Sequence, residues 1–378
     1  MSAPTDVTAR LVPVSPDLVE RLERDGVWEG VLSFPDAIDD PDQLSLTLHP
    51  TGIYFDGVHA VVPVADGPGE RWIVACEDGL FGLDSETGAR IRIGPLPVGL
   101  FSESADTDLV VVTDRAGRFV AVAPAGGRQG VVIETSTGTV TMRLDRGDYH
   151  ANICRFPLAF AHVGDQTVLV HASEWNRLDC SDPATGTCLT ERATPQCRGT
   201  SDVDVHYLDY FFSSLSVSPG SRRIVSDGWI WHPWGVLAIW DLEGWLGYNA
   251  WESEDGPSRF TPAPRPEAWD APLTWLNDDH LAVWGFGVAE RLHHGIRIYD
   301  VVHQEEIDWF PGPMGRFVSD GTLLYTLEPE LSVYDIATGH RLLSGSGFAA
   351  HARHPRTGRF LGIKSDGALE VAKISKVE

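Results

Sequence analysis

This sequence of 378 residues has no cluster of positive charge. Lys and Arg together number 29 against 54 Asp and Glu, a formal charge of −25. Counterion release from a phosphate backbone needs grouped Lys and Arg, so neither nucleic acid nor an anionic membrane is an expected partner. The acidic residues are spread along the chain and form no tail. They read as solubility through self-repulsion, and a cationic ligand stays compatible with them. Long apolar runs are missing too, none approaching the ~20 residues of a membrane span. Nor does the N-terminus combine a basic start, an apolar stretch and a small-residue cleavage site. The expectation is a soluble, cytoplasmic protein. Methionine is scarce at 3 residues, whereas 38 Gly and 25 Pro favour many short strands joined by turns over long helices.

The patterns of common catalytic chemistry are absent as well. Gly-x-Ser-x-Gly and HExxH do not occur, and the Gly-rich stretch 126–130 opens no helix that would hold a phosphate. Five cysteines, Cys76, Cys154, Cys180, Cys188 and Cys197, are an odd number that suits reduced thiols. Cys180 and Cys188 flank the turn at 182–186 almost symmetrically. Free thiols, a cross-strand disulfide and a metal site involving Cys197 all stay open, although no C-x2-C knuckle is present. On balance no metal and no cofactor is expected.

What the chain does have is repetition. Asp84, Glu134, Asp182, Asp241, Asp300 and Asp335 each end an apolar run and precede a turn, with Thr-Gly at 87–88, 137–138, 185–186 and 338–339. Leu369 to Ile374 repeats the run without the acid and sets a seventh marker at Lys373. The markers lie 35 to 59 residues apart, which brackets the ~40–50 residues of a four-stranded propeller blade. An acidic side chain can accept backbone N–H bonds across a tight turn, and Gly supplies the positive φ that reverses the chain. A second turn signature precedes several markers. It reads Ser218-Pro219-Gly220-Ser221 and His354-Pro355-Arg356-Thr357-Gly358, with His49-Pro50-Thr51-Gly52 as a third copy.

A Ser/His-Pro-x-Gly turn, a strand, then a strand ending in Trp240-Asp241 or a Tyr-Asp pair resembles the degenerate WD40 or quinoprotein-like propeller repeat. The resemblance covers roughly 44–374 and implies an all-β, seven-bladed β-propeller of four-stranded antiparallel blades. It departs from the strict WD40 pattern, because no Gly-His dipeptide pairs with a Trp-Asp in one blade. Such repeats encode turns and blade packing, and ligands are read by the variable loops.

Before the repeats, Ser15 as N-cap, Pro16 at the first helical position and Gly26 at the stop predict a short N-terminal helix. The last repeat lacks a fourth strand, and a ring closes best when one blade mixes strands from both chain ends. Residues 8–14, or alternatively 28–34, are expected to supply it. The domain reading is 1–43 for the N-terminal strand, helix and closure segment, and 44–378 for a single propeller with long insertions within 183–300.

Those long blades carry the candidate sites. Nine of the 13 Trp fall between Trp229 and Trp284. Trp229, Trp231, His232 and Trp234 form the densest group, and flat aromatics beside polar groups suit stacking on partner side chains, sugars or cations. Tyr207 and Tyr210 are further binding candidates. His206, with Asp204 or Asp209 to fix its tautomer, is the candidate acid/base pair at the mouth of the channel. The leading functional expectation is a non-catalytic interaction module that presents a loop face to a protein partner or assembly. The alternatives are a propeller enzyme, a hydrolase or lyase using His206, and a glycan or small-molecule binder using the Trp-rich loops.

Overall fold

The computed structural model describes residues 37–40, 43–96, 108–193, 206–231, 234–262, 265–266, 268–286 and 292–377. Seven antiparallel sheets follow one another along the chain. They span 58–94, 109–145, 158–181, 211–266, 273–311, 317–343 and 352–376, here blades 1 to 7. Within each blade the strands pair in chain order. The first strands of successive blades touch one another and form the inner wall of the ring.

The sequence makes these strands in two ways. A middle strand is covered by blades on both sides, so it reads as an unbroken apolar run; Phe119–Pro124 is buried at every position. An outer strand has one wet face, so it alternates, as Thr139–Asp145 does. The core is accordingly divided. Each of seven apolar clusters joins two neighbouring blades, for example Ile73, Leu80, Val120 and Val131 between blades 1 and 2, or Phe212, Trp240, Leu178 and Ala161 between blades 3 and 4. No blade buries its faces alone, so the ring is the cooperative unit.

Closure comes from the N-terminal side, as expected, but from a later segment. Leu44–Tyr54 pairs antiparallel with Ala368–Lys376, from Leu44 opposite Lys376 to Tyr54 opposite Ala368. That strand occupies the outer position of blade 7, and residues 8–14, 28–34 and the helix at 15–26 lie outside the described residues. His49-Pro50-Thr51-Gly52 is therefore not a hairpin. It is a bulge inside the closing strand, where the register shifts between Pro50 and Tyr54 and Gly52 adopts φ +72°. Just before it, residues 38–40 lie along the outer strand of blade 6, with Asp39 paired to Arg341 at 2.6 Å.

The markers sit where the third strand of a blade turns into the fourth. Asp84 Oδ1 accepts the amides of Glu86 and Thr87 at 3.0 and 2.9 Å, and Asp335 accepts those of Ala337 and Thr338 at 2.8 and 3.0 Å. Three markers differ. Asp241 caps a helix, Leu242–Gly247, by accepting the Gly244 amide at 2.6 Å. Lys373 lies inside the last strand, because the chain ends there and the fourth strand comes from Leu44–Tyr54. At Asp182 the turn forms, but among the described residues blade 3 has three strands, and Cys188 bridges back to Ser181 in the fourth position. Arg192 fills that edge instead, bonded to Asp179 at 2.7 Å and to Glu254 from the helical turn Glu252–Asp255 of blade 4.

Antiparallel order sorts the connections onto two faces. Turns between strands one and two and between three and four share the first face; turns between strands two and three and the inter-blade loops share the second. On the first face the turns hold hands around the ring. Thr357 of blade 7 donates to Glu70 of blade 1 at 2.6 Å, and the Asp66 amide donates to Arg115 O of blade 2 at 2.7 Å. The His162 amide of blade 3 donates to Ser221 of blade 4 at 3.0 Å, and the Gly220 amide donates to Asp278 of blade 5 at 2.7 Å.

A chain that starts at residue 37 keeps the pairing of Leu44–Tyr54 with Ala368–Lys376, and one that starts at residue 55 loses it. Losing a strand pairing of several kcal/mol should lower the melting temperature of the second below the first by at least roughly 5 °C. Scanning calorimetry of both truncations checks this, and equal midpoints would refute closure by Leu44–Tyr54.

Candidate interaction surface

The second face carries the feature that stands apart from blade packing, and it begins with a buried cation. Arg146 opens the loop from blade 2 to blade 3 and is almost fully buried. Its guanidinium donates to the carbonyls of Gly127 (2.9 Å), Ala151 (2.6 Å), Cys154 (2.9 Å), Arg155 (3.1 Å) and Ala125 (3.3 Å), and it lies over the Phe156 ring. Burial lowers its pKa to about 10, so it stays a cation at neutral pH. One side chain thus ties a whole loop to the blade beneath it.

That loop presents Tyr149, His150 and Ile153, and two neighbouring connections meet it. Trp175 comes from the second turn of blade 3, and Trp229 and Trp231 flank the corresponding turn of blade 4. Phe211 begins the inner strand of blade 4, and Trp269 lies in the loop to blade 5. Phe211 and Trp229 stack at 4.2 Å with ring planes 7° apart. Trp175 lies 4.4 Å from Phe211, Trp231 5.0 Å and Trp269 5.6 Å from Trp229, and Tyr149 stacks on Phe211 at 5.9 Å. His150 joins Trp231 at 5.2 Å. The base is buried, with Phe211 at 2% and Trp229 at 4% exposure, whereas Tyr149 at 49%, Trp231 at 41% and Ile153 at 39% face solvent. The result is an aromatic ledge, fixed below and open above.

Polar groups lock it from beneath. The Trp229 indole N–H donates to Cys154 Sγ at 2.8 Å, and burial pushes that thiol up to about 12, so it stays neutral. The Trp269 indole donates to Ile153 O at 3.1 Å. Asp270, held at φ +53°, accepts from Ser213 Oγ (2.6 Å), Ser214 Oγ (2.6 Å), the Ser214 amide (3.0 Å) and the Arg155 amide (3.0 Å), which ties blades 3, 4 and 5 at one point. The next amide, Ala271, donates to Asp227 at 2.8 Å. Asp227 pairs with Arg265, both fully buried, and burial raises its pKa to about 6 despite that partner.

The residues singled out from sequence divide three ways. Trp229 and Trp231 belong to the ledge. Tyr210 does not bind anything from solvent: it is fully buried, donating its hydroxyl to Val236 O at 2.8 Å and accepting the Gly228 amide at 2.8 Å. Trp234 is half-buried and packs against the core between blades 3 and 4. Tyr207 is partly buried, and His232 lies outside the described residues. His206 does not pair with Asp209. Its Nδ1 meets the Asp255 carboxylate at 2.8 Å and its ring stacks on Trp251 at 4.1 Å, in the insertion after the third strand of blade 4 and not at the channel mouth. Asp204 lies outside the described residues, while Asp209 is exposed, its pKa raised by partial burial. Cys76, Cys154, Cys180 and Cys188 are free thiols, so no disulfide spans the 182–186 turn. Among the described residues no three His, Cys, Asp or Glu side chains gather as metal ligands.

Sequence reading missed Tyr149, His150, Trp175, Phe211 and Trp269 as partners of Trp231. They are spread over 120 positions, and only the packing of successive blades brings four separate connections together. The first face has a cleft of about 420 Å3 lined by Arg222, Asn277, Asp278, Asp279, His280, Asp300 and His303. Its groups are engaged in turn structure: Asp300 accepts the amides of Val302 and His303, and Asp279 meets Arg223 at 2.9 Å.

The sheet order defines the class: a seven-bladed β-propeller built from degenerate repeats. No protein-family profile matches the sequence, and no curated protein does. Among solved structures the chain is similar to BamB from Moraxella catarrhalis, at 13% identity and a TM-score of 0.50, over 84% of this chain and 86% of that one. At such identity the likeness shows the fold alone.

Replacing Arg146 by Met removes a donor from five carbonyls, of which Ala125 O and Arg155 O keep another from the Phe156 amide and Ser213 Oγ, and should destabilise the loop by about 2 kcal/mol or more. Amide hydrogen exchange at 149–154 then rises at least tenfold, while exchange in blade 6 is unchanged. Asp227 yields a pH dependence. Its pKa is higher folded than unfolded, so the native state holds the extra proton, and this contribution to stability is present below about pH 4 and lost as pH rises through about 6. Asp227→Asn should flatten that fall by about 2–3 kcal/mol between pH 4 and 7, as read from denaturant midpoints.

Proposed function

We propose that this protein is a non-catalytic interaction module that engages a protein partner through the aromatic ledge on its second face. The observation that carries the reading is the pairing of a rigid buried base, Phe211 stacked on Trp229, with the exposed rings of Tyr149 and Trp231. Tyr and Trp contribute large contact areas at low entropic cost, and they dominate binding energy when a rigid setting preorganises them. A ledge built only for blade packing would bury these rings, as Trp72 and Trp240 are buried elsewhere in the ring. The enzyme alternative loses support, because the His206 imidazole pairs with Asp255 and not with Asp209.

Affinity capture with the purified protein, followed by direct titration of the captured partner, tests the reading. Trp231→Ala and Tyr149→Ala should each weaken the partner at least tenfold, consistent with hot-spot losses of about 2 kcal/mol. Tyr248→Ala, at a residue 83% exposed beside the blade 4 helix, should leave the affinity unchanged. A partner indifferent to Trp231 and Tyr149 would overturn the reading.

A further inference from the structure

We infer that the segment received by the ledge is a cationic one, an extended stretch of protein in which Arg side chains alternate with apolar residues. The inference rests on the reading of the ledge as an interaction surface and concerns the charge of what lies on it. Three carboxylates border the aromatic array. Asp148 precedes Tyr149, Glu174 precedes Trp175, and Asp209 stands two residues before Phe211. None accepts a hydrogen bond or forms a salt bridge among the described residues. Arg177, opposite Glu174 in the strand pair, is already bonded to Asp179 at 2.9 Å.

Two cations of the same loop are committed. Arg146 is saturated by backbone carbonyls beneath the loop, and Arg155 is paired with Asp108 at 2.6 Å. Asp270 already accepts from Ser213, Ser214 and Arg155, so it adds no free acceptor. Exposed Asp148 beside Tyr149 and exposed Asp209 near Phe211 thus bring negative charge to the ledge, on a chain whose formal charge is −25. A guanidinium can stack on an indole or phenol face while donating to a flanking carboxylate, which an acidic or neutral side chain cannot do. The aliphatic stem of Arg and its apolar neighbours would cover Ile153 and the ring edges.

Three synthetic dodecapeptides test this, alternating Leu with Arg, with Gln or with Glu, titrated calorimetrically into the full chain at 0.1 and 0.5 M NaCl. The Arg-Leu peptide should bind at least tenfold tighter than the Gln-Leu peptide, and the Glu-Leu peptide should not bind. The advantage should shrink several-fold at the higher salt. The combined variant Asp148→Asn, Glu174→Gln and Asp209→Asn should remove most of it. A control triple on the first face, Asp165→Asn, Glu305→Gln and Glu86→Gln, all at exposed positions, should change it less than twofold.

Equal affinity for the Arg-Leu and Gln-Leu peptides, both lost in Trp231→Ala, would overturn the inference of charge and leave the ledge standing as a binding surface. Equal weakening by the two triple variants would overturn it by assigning the attraction to overall charge. Binding unaffected by Trp231→Ala would overturn both readings, and absence of Arg-Leu binding at millimolar concentration would overturn the present one.

Discussion

Everything in this molecule depends on the pairing of Leu44–Tyr54 with Ala368–Lys376. A propeller has no central core. Its apolar surface is divided among seven interfaces, and each contributes only when both flanking blades are in place. An unclosed ring would expose the Val74, Leu83 and Leu361 cluster between blades 7 and 1, together with an unpaired edge on the last blade. Joining the two ends of the chain in one sheet makes opening the ring equivalent to breaking a ladder of strand hydrogen bonds. That converts a row of locally weak units into one cooperative body.

The two faces divide the remaining work. On the first face the turns, apart from the helical insertion after Asp241, are short, carry Asp or Ser at their corners, and bond to the turn of the next blade, as His162 does to Ser221 and Gly220 to Asp278. Variation there would break the belt. On the second face the inter-blade loops are free to lengthen, because the strands they join are already placed by the ring. The loop beginning at Arg146 uses that freedom, and its single buried guanidinium replaces the secondary structure that would otherwise satisfy its carbonyls.

The fold was legible because blades repeat a local physical device. An Asp at the end of the third strand can satisfy two amides of its own turn, and that chemistry leaves the same short signature at Asp84, Asp300 and Asp335. The device also shows where local reading must fail. Asp241 makes the same kind of bond to Gly244, but as a helix cap, since an aspartate that accepts amides serves either structure. His49-Pro50-Thr51-Gly52 has the composition of a hairpin and becomes a bulge, because its partner strand lies more than 300 residues away and dictates the register. Lys373 marks a strand and no turn, for the same long-range reason.

The surface was legible only in part, and the residues show why. Trp229 and Trp231 stood out through their local density, and both belong to the ledge. Yet density alone could not separate Trp231, which faces solvent, from Trp234 three residues later, which packs between blades. Strand alternation and blade packing decide that. Tyr149 and Trp175 carry no local signal at all. Their significance arises when Arg146 folds one loop down and Asp270 pins three blades together, so that rings distant in sequence share one stack. A repeat protein writes its scaffold locally and its binding surface non-locally. The scaffold can therefore be read from turns, while the surface has to be read from what the turns bring together.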